Sequence, residues 1–253
     1  MIGKKYLLRA IQHVLSNPLA GAPKPVAFSV IRVPFFLEPH YDEEKPFMES
    51  NRERLTKKWG GKKGWERQKK SHDLKGRGLE AGIPHFNLDR LTANTMASHR
   101  LIQHLGKTYG LTVSESIYDL LNVYYFVDGN SLNDRPKLAS VVAAELKVLL
   151  SDKDTAPSEE SLLNFLNGSE GRAEIEQALV YLDKLGVHSI PKFIIEGKSI
   201  VDGAAHDRTF VEIFREIEAR GTVHSGPVFG DILGISPEII QQGSHHSPDN
   251  VAA

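Results

Sequence analysis

Apolar positions recur at helical spacing from the first residues. In MIGKKYLLRAIQHVLSNP, Leu7, Leu8, Ile11, Val14 and Leu15 fall on one face, which predicts an amphipathic helix. A Pro/Gly/Ala connector, residues 18–25, leads into VAFSVIRVPFFL, whose Val26, Phe28, Val30, Ile31 and Val33 predict a strand limited by Pro34. From Pro46 to about Pro157 the period becomes helical. FMESNRERLTKKWG is one candidate, and RLTANTMASHRLIQHLGKTYG is a second, with Met96, Leu101, Ile102 and Leu105 apolar and Gly110 as its stop. SESIYDLLNVYYFVDG, PKLASVVAAELKVLLSD and SEESLLNFLNG follow, the middle one with Pro136 in its first turn. In the last third, Ile175, Ala178, Leu179, Leu182 and Leu185 form one stripe closed by Gly186. KFIIEGKSIVDG then reads as two strands around a Gly197–Lys198 turn. TFVEIFREIEARG follows as a helix with Thr209 and Glu212 at capping-box spacing. Two α/β pieces, residues 1–45 and 170–221, therefore frame an all-helical insertion at 46–169, and a Gly-, Pro-, Ser- and His-rich tail at 222–253 is expected to be loosely ordered.

Composition narrows this picture. The 253 residues are 40% hydrophobic and 25% charged with a net charge of −1, the profile of an ordinary globular chain with no global pull toward a polyanion. No run approaches the roughly 20 apolar residues of a membrane span. Arg9, Gln12 and His13 interrupt the first helix, so it reads as amphipathic rather than as a secretion signal, and a cytoplasmic location is expected. There is no cysteine, which removes disulfides, thiolate nucleophiles and cysteine-ligated metals from these residues. The eleven histidines show no ligand spacing and no metal is assigned; the adjacent pair His245–His246 lies in the tail.

One local bias remains. Between Arg52 and Arg77 stand eleven Lys/Arg against three acids, with Trp59 and Trp65 interleaved. Basic runs with aromatics suit polyanions, but a solvated helix face and loop explains the same residues. Neither nucleic acid nor membrane is expected as a partner on this reading.

The most informative stretch is GVHSIPKFIIEGKSIVDG, where Pro191 stands at the threshold of a strand. A proline there, at the first residue, removes no ladder donor. Either a cis turn or a trans helix-to-strand loop accommodates it. Running on to GAAHDRTFVEIF, the segment resembles the cis-proline loop and last helix of DsbA-like thioredoxin proteins. It is most similar to the branch of FrnE-type oxidoreductases and hydroxychromene-carboxylate isomerases. VIRVPFFLEP resembles that branch's second strand, and LTANTMASHRLIQHLGKTYG with SIYDLLNVYYFVDGNSLND resembles its insertion helices.

The resemblance implies an α/β thioredoxin-like (DsbA-like) sheet with an all-helical insertion. It also implies a first strand and a Cys-x-x-Cys helix start, and both are absent from these residues. Without that strand its neighbours expose unpaired edges. The implied activity is thiol–disulfide exchange, for which the chain has the loop but no catalytic residue. A glutathione-dependent isomerase or kappa-like transferase needs no protein cysteine, and a non-catalytic binding protein needs no chemistry. The resemblance places Ser189, Ile190 and Pro191 against the substrate, with glutathione as the cofactor in the second reading and a thiol-containing peptide or small molecule as partner. It adds Asn94, Asp207 and Arg208 to the site, although a plain helix cap accounts for Asp207 and Arg208 more simply and a helix-initiating role accounts for Asn94 at least as well. A homodimer is compatible with the resemblance.

Overall fold

The computed structural model describes residues 1–150 and 155–245; His246 and the rest of the expected tail lie outside the described residues. In chain order the elements are α1 (Ile2–Ser16), β1 (Glu49–Ser50), α2 (Asn51–Lys58), α3 (Lys62–His72), α4 (Leu74–Glu80) and β2 (Leu91–Thr92). The helices α5 (Met96–Tyr109), α6 (Leu111–Phe126), α7 (Arg135–Leu149), α8 (Glu159–Asn167) and α9 (Arg172–Lys184) follow. The chain continues with β3 (Lys192–Ile195), β4 (Ser199–Asp202), α10 (Asp207–Arg220) and α11 (Pro237–Gln242). None of the described helices is long and apolar enough to cross a membrane. The residues fall into two compact units: Met1–Phe35, Gly106–Thr112 and the chain from Glu176, and then Phe36–Leu105 with Val113–Ile175.

The first unit is built on α1 against α10. Tyr6, Leu7, Ala10, Ile11 and Val14 are buried on one side, Phe210 and Phe214 on the other. Ring pairs extend that core: Phe193–Phe210 and Phe28–Phe214 each have centroids 4.8 Å apart, near edge-on. β3 and β4 form an antiparallel hairpin in the register Lys192↔Asp202 to Ile195↔Ser199. Its turn residues with positive φ are Glu196 and Gly197, one position earlier than the sequence pattern suggests. Glu196 accepts the strain of the left-handed region because its carboxylate receives Arg220 and the His224 amide. α10 begins at Asp207, not at Thr209. Glu212 pairs with Arg208 instead of closing a capping box.

Two expectations in this unit change. Residues 26–33 form no ladder among the described residues; Phe28 makes one isolated bridge, to His245. Its carbonyl accepts from the Ser244 amide at 2.8 Å, and the Val30 amide donates to Ser244 Oγ at 2.9 Å. β-branched residues make a strand only where a second edge lies alongside, and here the neighbour is two residues of the tail. Up to His245, the last described residue, the tail contributes to the core. Phe229, Leu233 and Ile235 are buried, Phe229 stacks edge-on with Tyr181, and α11 starts under a Ser236 cap. Its glycines and prolines mark turns between buried apolar residues rather than disorder.

The second unit is mainly helical, with Leu101, Leu105, Ile117, Leu138, Val142, Leu146, Leu162 and Leu166 at its centre. α7 and α8 form its closest helix pair. A two-residue bridge, β1 with β2, joins Glu49 to Thr92 and Ser50 to Leu91. Arg100 is 2% exposed, and its guanidinium donates to the carbonyls of Phe165, Leu166 and Glu170. It thereby adds a charged donor to the carbonyl end of α8, where Phe165 also accepts the Gly168 amide, with Phe165's ring 4.9 Å from the charge.

Candidate functional site

The site lies in the first unit, where the loop before β3 meets the amino end of α1. The Ile190–Pro191 peptide is cis. Pro191's carbonyl accepts from the Gly203 amide at 2.9 Å, which continues the hairpin one pair beyond β4 and holds the loop to it. On the other side Pro191 meets Gly3. A Cβ at residue 3 would stand 3.0 Å from Pro191 Cγ and 3.1 Å from Phe193 Cζ. A side chain at this position would make Pro191 or Phe193 give way by a few tenths of an ångström. One helical turn on, the Tyr6 ring lies 4.7 Å from that of His206, the residue that precedes α10. Three segments thus converge: the start of α1, residues 189–191, and the start of α10.

Ser189 and Ile190 are exposed, Ile190 at 49%, and the described residues give their backbone groups no hydrogen bond. They are therefore available to an extended peptide. Lys4, one residue beyond Gly3, is buried. No side chain caps α10 at His206. Asp207 Oδ1 accepts the adjacent Arg208 amide at 2.9 Å, and Arg208 Nε donates to Glu212 at 3.0 Å while 87% exposed. Both are engaged in local helix-start contacts.

Asn94 belongs to the second unit. It is 4% exposed, donates to the Tyr41 carbonyl at 2.8 Å and accepts from the Met96 amide at 2.8 Å, so it fixes the start of α5. Gly3, Tyr6 and His206 complete the geometry that Pro191 begins. Nothing in a single sequence links Tyr6 to a histidine 200 positions away. Gly3 carried a signal, a glycine within a helical stretch where it lowers helix stability by about 1 kcal/mol relative to alanine. Among the described residues no three His, Asp or Glu side chains are grouped to hold a metal.

With the geometry in place, comparison with known proteins fixes the fold. No family model matches the chain, and no curated protein matches it. Among solved structures it is similar to a probable DsbA oxidoreductase from Streptomyces coelicolor. The TM-score is 0.65 over 90% of this chain and 86% of that one, at 21% identity. The fold is thioredoxin-like, of the DsbA-like kind with a helical insertion.

Proposed function

We propose that the chain acts as a thiol-substrate-binding protein of the DsbA-like oxidoreductase type, in which these residues supply the partner-binding half of the site. The observation that carries this reading is the exposed Ser189–Ile190 edge leading into Pro191, seated against Gly3 at the amino end of α1. In thiol–disulfide exchange the attacking group is a thiolate, and the 253 residues contain none. The sulfur in this site accordingly belongs to the bound partner, an extended thiol-containing peptide whose backbone pairs with Ser189 and Ile190.

The absence of cysteine also favours a second reading, a glutathione-dependent isomerase or transferase of the kappa-like type. There the loop holds glutathione, and the positive end of α10, which no side chain of His206 caps, faces one of its carboxylates. Titration of the full chain with reduced glutathione and with a short cysteine peptide, followed by calorimetry or amide chemical shifts, tests both. Saturable binding that moves the Ser189–Phe193 amides is expected, weakened by Ile190→Asp. Insulin reduction by the chain should not exceed the buffer rate. Binding of glutathione together with glutathione-dependent turnover of a hydroxychromene carboxylate selects the second reading. Silence toward both ligands at millimolar concentration removes the site.

A further inference from the structure

The charge of this protein is unevenly placed. Residues 52–77 hold eleven Lys/Arg and three acids, whereas the rest of the chain holds twenty Lys/Arg and twenty-nine acids. A near-neutral total therefore hides a strongly basic patch on an acidic background, a pattern that points to a polyanionic partner.

Side-chain placement separates the structural cations from the others. Arg52 pairs with Asp89, Arg54 with Glu38, Lys57 with Glu49 and Lys69 with Glu66. Lys62, Lys63, Arg67 and Lys70 have no such acid within salt-bridge distance among the described residues, and all four are exposed. Lys63, Arg67 and Lys70 recur at intervals of four and three residues on α3, so they line one face of it, and Lys62 stands beside that face in the first turn. From Lys62 to Lys70 that face is about 12 Å long at 1.5 Å per residue, the rise of three to four phosphates along one strand. α3 also opens with two lysines and no acid in its first turn, so like charges crowd its positive end in the free protein.

A tryptophan lies just ahead of α3 and close to its first turn. Gly60 and Gly61, both at positive φ, fold α2 back onto α3. The Trp59 carbonyl consequently lies so near α3 that a Cβ on Gly64 would be 1.8 Å from it. Trp59 is partly exposed, with Lys58 Nζ 5.9 Å from its ring centroid. Apolar insertion into a bilayer is not available to α3, whose one large apolar side chain, Trp65, is buried in the unit.

We propose that the Lys62–Lys63–Arg67–Lys70 face of α3, with Trp59 at its end, binds single-stranded nucleic acid. The cations follow the phosphates and the indole stacks on a base, the combination that holds single strands without sequence preference. This proposal does not depend on the thiol-substrate reading, since it uses none of its residues.

The test is fluorescence-anisotropy titration of a labelled 12-nucleotide oligomer, as DNA and as RNA, with the full-length chain from 50 to 200 mM salt. Binding is expected with a slope of log affinity against log salt of about −3 for four neutralised phosphates. The triple variant Lys63→Gln, Arg67→Gln, Lys70→Gln should bind at least tenfold more weakly with a slope near about −1. Lys147→Gln, an exposed lysine on α7, should leave binding unchanged. In a Trp65→Phe background, Trp59 fluorescence should quench on binding. No binding at 50 mM salt, or a correctly folded triple variant that binds as well as the parent, overturns the proposal. So does preferential binding to heparin or to phosphatidylserine vesicles, and so does a duplex bound as tightly as the single strand with Trp59 unquenched.

Discussion

Gly3 and Arg100 show how single residues hold this structure. At position 3 any β-carbon presses on Pro191 and Phe193, so Gly3→Val should cost about 1–3 kcal/mol through overpacking. Gly3→Ala should cost less, because the helix-propensity gain of about 1 kcal/mol offsets part of the contact. Urea midpoints of the two variants check the order; equal and unchanged midpoints would mean that the close approach is slack. Arg100 is the opposite kind of residue, a buried charge without a carboxylate within its hydrogen bonds. It is held by the carbonyls of Phe165 and Leu166 at the end of α8 and of Glu170 beyond it, and burial pulls its pKa down. Arg100→Ala removes all three of these bonds and should cost about 2–4 kcal/mol. Arg100→Lys should not restore the loss, because an ammonium lacks the planar fork that reaches all three. Neither role is visible in sequence: a helical Arg reads as surface, and Gly3 reads as a weak point in the helix.

Elements were legible where their information is local. α1, α5, α6, α7, α8, α9 and the β3–β4 hairpin follow from apolar period and from stops such as Gly110 and Gly186, both at positive φ. Pro191 was legible for the same reason, since a proline before an apolar run restricts the backbone by itself. The pairs β1–β2 and Phe28–His245 were not, because each joins residues more than 40 positions apart through backbone groups that carry no side-chain signature. The tail was obscured by composition, and its three buried apolar residues are spaced by turns rather than by a helical or strand period. The hairpin itself makes a sharp prediction. Pro191 and Gly203 are a hydrogen-bonded pair, so alternation gives Phe193 and Ile195 their bonds to β4 and turns the Lys192 and Ile194 amides to the opposite edge. Among the described residues no strand pairs with that edge. Amide exchange should therefore be faster at Lys192 and Ile194 than at Phe193 and Ile195. Uniform protection along β3 would show a second neighbour in solution.

At the scale of the whole molecule, stability against pH follows from groups that the fold has moved from their ordinary values. Glu53, Glu66 and Asp89 are held low by hydrogen bonds from Ser50, Lys69 and Arg52 respectively. Burial would raise Glu49, but Lys57 and Tyr41 donate to it and bring it below the usual 4.5. In each case the folded chain binds protons less readily than the unfolded one. Their contribution is present above the unfolded carboxylate range and is lost as pH falls through it. Most of these pairs face solvent, so this acid edge should be shallow and should weaken further in high salt. The alkaline edge is different. Burial, and then donation to Glu49, push Tyr41 up from 10.0 to about 12. Between those values the folded chain keeps a proton that the unfolded chain releases, so this contribution is full below pH 10 and disappears as pH approaches 12. Melting temperature should thus be flat from about pH 5 to 10 and fall on both sides. Tyr41→Phe should lower the plateau, because phenylalanine cannot donate to Glu49, yet fall less steeply than the parent above pH 10. Parallel alkaline slopes in the two proteins would mean that Tyr41 titrates alike in the folded and unfolded chains, and that its bond to Glu49 does not hold the proton.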